Sequence, residues 1–138
     1  MQRLGIIFAL ACALSWAFWG MLGKLSANHG VPAPTLAFLS ACASFVVIVS
    51  AYAWQRFPVA PTPAGALWAL ASGVCGAIGM LFFAMAIKRG DAAIIVTLSA
   101  IYPVFTLLLS PLILQEKLTL THVIGVLLVT LGVVLVAR

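Results

Sequence analysis

The sequence predicts an all-α integral membrane protein with five transmembrane helices. Its 138 residues are 65% hydrophobic and only 7% charged, and its mean hydropathy is +1.28. Soluble proteins carry about 25% charged residues, so this composition excludes a soluble domain. The charged residues divide the chain into long uncharged intervals of 20, 31, 31, 24 and 20 residues. Because a spanning helix needs about 20 predominantly apolar residues, each interval is expected to hold one helix in the lipid bilayer.

Turn-forming residues separate these five helices, which together form one predicted domain over residues 1–138. Glycine and prolines follow the first helix, and Pro34 suits the first turn of the second. A proline-rich segment precedes the third helix, and Gly90 with Asp91 precedes the fourth. Gly90 is expected to take the left-handed conformation that ends a helix, and Asp91 to cap the next one. The helices are predicted at about residues 4–26, 35–54, 64–87, 92–114 and 119–137, with Thr119 or Thr121 capping the last.

The first helix carries Trp16, Trp19 and Lys24 on one face, and we treat them as candidate substrate-pocket residues. Lys24 would pair with an anionic group of a substrate, and the indole rings would form an apolar or cation-binding wall. The alternative is that Lys24 lies near the helix end and snorkels to the lipid headgroups, which requires no partner.

Small residues mark one face of the third helix and one face of the fifth. Ser72, Gly76 and Gly79 align at offsets of 0, 4 and 7, and Gly125 and Gly132 lie one heptad apart. Small side chains let another helix approach closely, which drives helix association in lipid. These faces are therefore predicted packing surfaces, either within one subunit or between two.

The fourth helix, residues 92–114, has the most unusual pattern. Pro103 lies near its centre and deprives the carbonyl of Ser99 of its amide donor, a defect tolerated in lipid only where other groups satisfy it. Polar residues recur on the same face: Ser99, Tyr102, Pro103, Thr106 and Ser110. We expect this face to point inward, with Pro103 as a hinge. Ser99, Tyr102 and Thr106 either line a neutral substrate path or repair the defect at Pro103.

Neither enzymatic activity nor a metal or cofactor is expected from this chain. The two carboxylates, Asp91 and Glu116, and the two histidines, His29 and His122, lie in loops or at helix ends. They form no paired acid and base or metal-ligand pattern, and no phosphate-binding glycine loop is present. The net charge of +5 is dispersed at helix ends, which is typical of membrane anchoring and not of nucleic-acid binding.

The basic residues are almost evenly divided between the two predicted sides of the membrane. Three lie on the N-terminal side (Arg3, Arg56 and Lys117) and four on the other (Lys24, Lys88, Arg89 and Arg138). The positive-inside rule therefore selects no orientation. Either a single orientation is set by other features, or the protein inserts both ways and pairs antiparallel with itself.

Several short motifs follow one another in a characteristic order along the chain. They are SWAFWGMLGK in the first helix, then Gly90-Asp91-Ala92, Tyr102-Pro103, QEKLT at 115–119, and Gly125 with Gly132. In this order and spacing the chain resembles the EamA domain of the drug/metabolite transporter superfamily over essentially its whole length. Most members of that family carry two such five-helix halves in opposite orientations, whereas this chain is similar to one half.

This resemblance implies a transporter that moves an unknown small metabolite by alternating access in the bacterial cytoplasmic (inner) membrane. It also implies an antiparallel homodimer, because one half cannot form the inverted repeat by itself. The fifth helix resembles the last helix of small multidrug-resistance transporters, which makes Gly125 and Gly132 dimer-contact candidates. No membrane-embedded carboxylate is present for the proton exchange of those proteins. The alternatives are a non-transporting subunit of a larger complex and a component that moves a lipid-linked sugar.

Overall fold

The computed structural model describes residues 2–56 and 62–136 and shows an all-helical membrane fold, as predicted. Three stretches of the described chain are single long apolar helices, and a fourth consists of two consecutive helices. These four are long and apolar enough to cross a bilayer, whereas the last helix has 17 residues, or about 26 Å, which is near the lower limit for a span. The helices are α1 Gln2–Asn28, α2 Ala33–Trp54, α3 Pro63–Arg89, α4 Ala92–Ser99, α5 Tyr102–Ile113 and α6 Leu120–Val136.

The chain folds as two compact units, and the second comprises residues 21–89. It begins in α1, which ends in a Schellman turn: Gly30 has φ +85°, its amide donates to Ala27 O, and the Val31 amide donates to Ser26 O. Pro32 then takes an extended conformation at the N-cap of α2. Glycine is needed at position 30 because a side chain at this φ is strained.

A small core joins α2 to α3 within this unit. Its buried residues are Ala33, Leu36 and Ala37 of α2 and Ala84 of α3, with Ala27, Val31 and Met80 packed around them. Ala84 is completely buried, so its small side chain lets the two helices approach closely. Most other large apolar side chains of the described chain are exposed, as expected for a surface that faces lipid.

The first unit comprises residues 1–20 and 90–138, and within it α6 packs against both α4 and α5. The span predicted over residues 92–114, with a hinge at Pro103, consists of two consecutive helices, because α4 ends at Ser99 and α5 begins at Tyr102. Pro103 explains the division. It occupies the first turn of α5, where a missing amide costs nothing.

Two of the predicted helix ends are also different in the structure. Asp91 lies at the N-cap of α4 with an extended backbone, but its side chain makes no capping hydrogen bond. Gly90 is not among the described residues with positive φ, which are Gly30, Arg56 and Gln115. The cap on α6 is confirmed, since Thr119 Oγ1 accepts the His122 amide at 3.3 Å.

Candidate functional site

A cleft of about 600 Å³ lies in the first unit, between α5, the α5–α6 connection and the start of α6. Three of the predicted site residues, Tyr102, Pro103 and Thr106, line it. Apolar, polar and charged groups therefore share one cavity of the size that small ligands occupy. The complete lining is Tyr102, Pro103, Thr106, Leu107, Ser110, Glu116, Lys117, Leu118 and His122.

The cleft begins at the break between α4 and α5. Ala100 and Ile101 form a tight turn with 3₁₀-type hydrogen bonds, from the Ile101 amide to Leu98 O at 3.2 Å and from the Val104 amide to Ile101 O at 3.0 Å. Such a turn within an apolar span often marks a hinge. Pro103 lies immediately beyond it, so the proline faces the cleft at the point where the helical hydrogen-bond ladder is interrupted.

The hydroxyl groups of the predicted polar stripe bond to their own helices. Ser99 Oγ donates to Ile95 O at 2.7 Å, and Thr106 Oγ1 donates to Tyr102 O at 3.2 Å. Ser99 does not line the cleft, whereas Thr106 does. A hydroxyl that donates keeps acceptor capacity, so Thr106 still offers lone pairs to a ligand.

A second proline, Pro111, interrupts the ladder inside α5 and leaves the carbonyl of Leu107 without its amide donor. Ser110 Oγ donates to that same carbonyl at 3.5 Å. The Ser110 hydroxyl therefore partly replaces the missing amide. Ser110 is also buried and lines the cleft. The backbone defect that we predicted at Pro103 thus has a counterpart at Pro111, which sequence reasoning missed.

The α5–α6 connection brings charged residues to the cleft. Gln115 has φ +57°, a left-handed conformation that reverses the chain after α5. Ser110 O accepts the amides of Leu114 at 2.8 Å and Glu116 at 3.5 Å, which holds the start of the connection against α5. Glu116 and Lys117 then reach the cleft, and His122 completes it from the first turn of α6.

An aromatic contact connects α1 to this region. The rings of Trp16 and Tyr102 meet edge to face, with centroids 6.3 Å apart and an interplanar angle of 66°. Both rings are about half exposed. Trp19 is half-buried on the same helix but does not line the cleft. Trp16 therefore contacts a residue that lines the cleft.

Lys24 belongs to the second unit and has a different environment. Its Nζ donates to the carbonyl of Ile87 at 3.1 Å, in the last turn of α3. The last four carbonyls of a helix lack amide donors, and the negative end of the helix dipole favours a cation there. This hydrogen bond is a structural role that neither reading of the sequence anticipated.

The small-residue faces are open within the described chain. A methyl group added to Gly76, Gly79, Gly125 or Gly132 would meet no atom within 4 Å, and Ser72 is exposed. These positions therefore do not pack against another helix of the same described chain. A methyl group added to Gly23 of α1, by contrast, would lie 4.0 Å from Cε1 of Phe83.

Sequence reasoning missed Glu116, Lys117 and His122 as parts of a site, since they were treated as residues of helix ends and loops. A signal was present in the short connection between the two helices, which is six residues long in the structure (residues 114–119). A connection this short forces the end of one helix to lie near the start of the next, so their polar residues converge.

The comparisons with known proteins agree with this architecture. The chain matches the EamA-like transporter family over residues 3–138. It is 41% identical over 70 residues to an uncharacterized protein of Methanocaldococcus jannaschii, a segment that spans 51% of this chain and 51% of that relative. No solved structure matches the chain. Because the family match covers nearly every residue, the chain belongs to the EamA-like transporter family.

Proposed function

We propose that the protein moves a small metabolite across the membrane by alternating access, as an antiparallel homodimer. Membership of a transporter family supports transport in general. The observation that carries the finer proposal is the cleft, because it places polar and charged groups beside an interrupted membrane helix. Irregular backbone in a membrane segment is tolerated where it lines a cavity, and transporters bind substrates at such interruptions. We place this transporter in the bacterial cytoplasmic membrane, on the resemblance alone.

The break at residues 100–101 supplies a means of movement. A change of angle at this turn would tilt α5 relative to α4 and open or close the cleft. Since Pro103 cannot donate an amide to Ser99 O, the two helices cannot merge into one regular helix. In this proposal Pro103 is the hinge, Tyr102 and Thr106 contact the substrate, and Trp16 supports the Tyr102 ring.

Two observations favour a second copy as the partner. The faces that carry Gly125 with Gly132, and Gly76 with Gly79, meet no atoms of the described chain and are shaped for close helix contact. The basic residues are nearly balanced between the two sides, which permits both orientations. In an antiparallel pair, the second copy would provide the opposite repeat on which alternating access depends.

The transport proposal is tested by reconstituting the protein into liposomes with a mixed metabolite pool and identifying the solutes that cross. Tyr102→Ala is expected to reduce flux at least tenfold, or about 1.4 kcal/mol. Tyr52→Ala, the same change at an α2 residue that does not line the cleft, is the matched control and should retain flux. If Tyr102→Ala retains flux, the cleft is not the substrate path.

The hinge has its own matched pair, since Pro34 and Pro103 both lie in the first turn of a helix. Pro103→Ala should reduce flux severalfold, because an alanine amide can restore the hydrogen bond to Ser99 O and stiffen the turn. Pro34 follows an ordinary loop between helices, so Pro34→Ala should retain flux. Equal flux in both variants contradicts the hinge.

The antiparallel dimer is tested by labelling from one side of the membrane with an impermeant thiol reagent. Single cysteines at His29 and Gln55, on either end of α2, are introduced into a variant in which the native Cys12, Cys42 and Cys75 are alanine. A dual orientation predicts that about half of each population reacts from outside. Labelling of one position only would eliminate the antiparallel arrangement.

The second candidate is a non-transporting subunit of a larger complex, which the open glycine faces would equally suit. Its signature is a chain that associates through these faces while no solute crosses at any concentration. Movement of a lipid-linked sugar is distinguished by supplying that lipid in the liposomes. Transport of a soluble metabolite that responds to Tyr102→Ala rules against both alternatives.

A further inference from the structure

We infer that the cleft couples transport to proton binding, with His122 as the group that takes up and releases the proton. This inference rests on the proposed function and assigns a coupling ion, the proton, to the same cleft. It starts from an unexpected placement: His122 and Glu116, which the sequence puts at helix ends, line the substrate cleft together with Lys117.

The titratable groups around His122 can be named for each element that packs against α6. Within the helices, α4 carries no titratable side chain, and α5 carries only Tyr102. The α5–α6 connection contributes Glu116 and Lys117, and within α6 itself His122 is the sole such group. All four of these side chains line the cleft.

His122 also has a defined position. It is the third residue of α6, and its amide donates to Thr119 Oγ1 at 3.3 Å in the N-terminal cap of that helix. The hydrogen bond fixes the backbone from which the imidazole projects. The side chain is solvent-exposed, so protons and solutes can both reach it.

The chemistry of these groups makes the cleft charge depend on pH. Imidazole is the side chain that ordinarily changes its charge between about pH 5 and 8. With His122 neutral, the formal charges of Glu116 and Lys117 cancel, and the cleft has no net charge. With His122 protonated, the cleft carries one positive charge.

Coupling between the proton and the solute follows by linkage. A proton that changes the affinity of the cleft for a solute must have its own affinity changed by that solute to the same extent. Anionic solutes are favoured by the protonated cleft, and cationic solutes by the neutral one. The first class would move together with a proton, and the second in exchange for one.

The experiment compares flux of a mixed metabolite pool into liposomes at equal internal and external pH, from about pH 5 to pH 8. Wild-type flux of charged solutes is expected to change at least about fivefold over this range, the lower end of typical coupling. His122→Gln should vary less than about twofold. His29→Gln changes the other histidine, in the α1–α2 turn, and should keep the wild-type profile.

A second variant keeps the inference testable if His122→Gln does not fold. Lys117→Gln leaves Glu116 uncompensated when His122 is neutral, so at about pH 8 it should favour cationic over anionic solutes severalfold. A pH-sensitive dye inside the vesicles adds an independent reading, since solute-driven proton movement should occur in the wild type and be absent in His122→Gln.

The outcomes separate the two proposals. Wild-type flux that is equal at all pH values overturns the proton coupling and leaves the transporter intact. A His122→Gln variant that keeps the wild-type pH profile overturns the role of His122. Absence of flux for every solute at every pH contradicts the proposed function itself.

Discussion

Replacing Lys24 with methionine is expected to lower the free energy of unfolding by about 1–2 kcal/mol. Lys24 Nζ donates to Ile87 O at 3.1 Å, and Ile87 is fully buried in the last turn of α3. The variant keeps the length and the apolar stem of the side chain but removes the donor and the charge. The Ile87 carbonyl would lose this donor at the C-terminal end of the helix.

The magnitude combines two contributions, that of the hydrogen bond and that of the helix dipole. A hydrogen bond to a charged group contributes about 1.5–3 kcal/mol in soluble proteins. Hydrogen bonds between membrane helices are weaker, about 0.6 kcal/mol on average and about 1.7 at most. A cation at a helix C-terminus adds about 0.3–1 kcal/mol. We therefore expect the free energy of unfolding to fall by about 1–2 kcal/mol, which is roughly a 5- to 30-fold change in the unfolding equilibrium.

The assay is reversible unfolding in mixed micelles, followed by circular dichroism as the fraction of denaturing detergent rises. Lys88→Met is the control, because Lys88 is an exposed cation at the same end of α3. Lys24→Arg should retain part of the stability, since it keeps the charge and the donors. If Lys24→Met unfolds at the same fraction of denaturing detergent as the wild type, the reasoning is refuted. Loss of flux without loss of stability would instead indicate a substrate contact.

Two further predictions use the same unfolding assay. Gly30→Ala should lower stability by about 1–2 kcal/mol because φ at residue 30 is +85°. Gly5→Ala lies within α1 with no atom near the added methyl, so it should raise stability by up to about 1 kcal/mol. If Gly30→Ala were instead the more stable of the two variants, the Schellman turn would be contradicted. Gln115→Gly should raise the free energy of unfolding by about 0.5–1 kcal/mol, because it relieves the strain at φ +57°. Gln55→Gly is the control and should lower the free energy of unfolding, because residue 55 has an unstrained φ of −77°. A lower stability in both variants would refute the strain at residue 115.

The positions of the helices could be predicted because the bilayer imposes a simple requirement on composition and length. Charged residues bound each apolar interval, and the predicted first three helices fall within α1, α2 and α3. The cap of Thr119 was also predictable from local chemistry. Asp91 shows the limit of that approach, since an N-cap residue type does not ensure that its side chain turns toward the free amides.

The candidate site was only partly predictable. The polar stripe pointed to Tyr102, Pro103 and Thr106, which line the cleft. It did not point to Glu116 or His122, because their approach depends on how the chain reverses at Gln115 and packs α6 against α5. Such contacts join residues on different elements, and no periodicity within one helix encodes them.

The sequence by itself determined the membrane environment, the approximate helices and the interruption at Pro103. These follow from local properties: the apolar content of each segment and the missing amide of a proline. Only the tertiary structure decided that Lys24 binds the end of α3, and that the cleft carries Glu116, Lys117 and His122. Lipid favours apolar residues on every outer helix face alike, so hydrophobicity does not select which helices meet. Side-chain packing and hydrogen bonding in three dimensions make that choice.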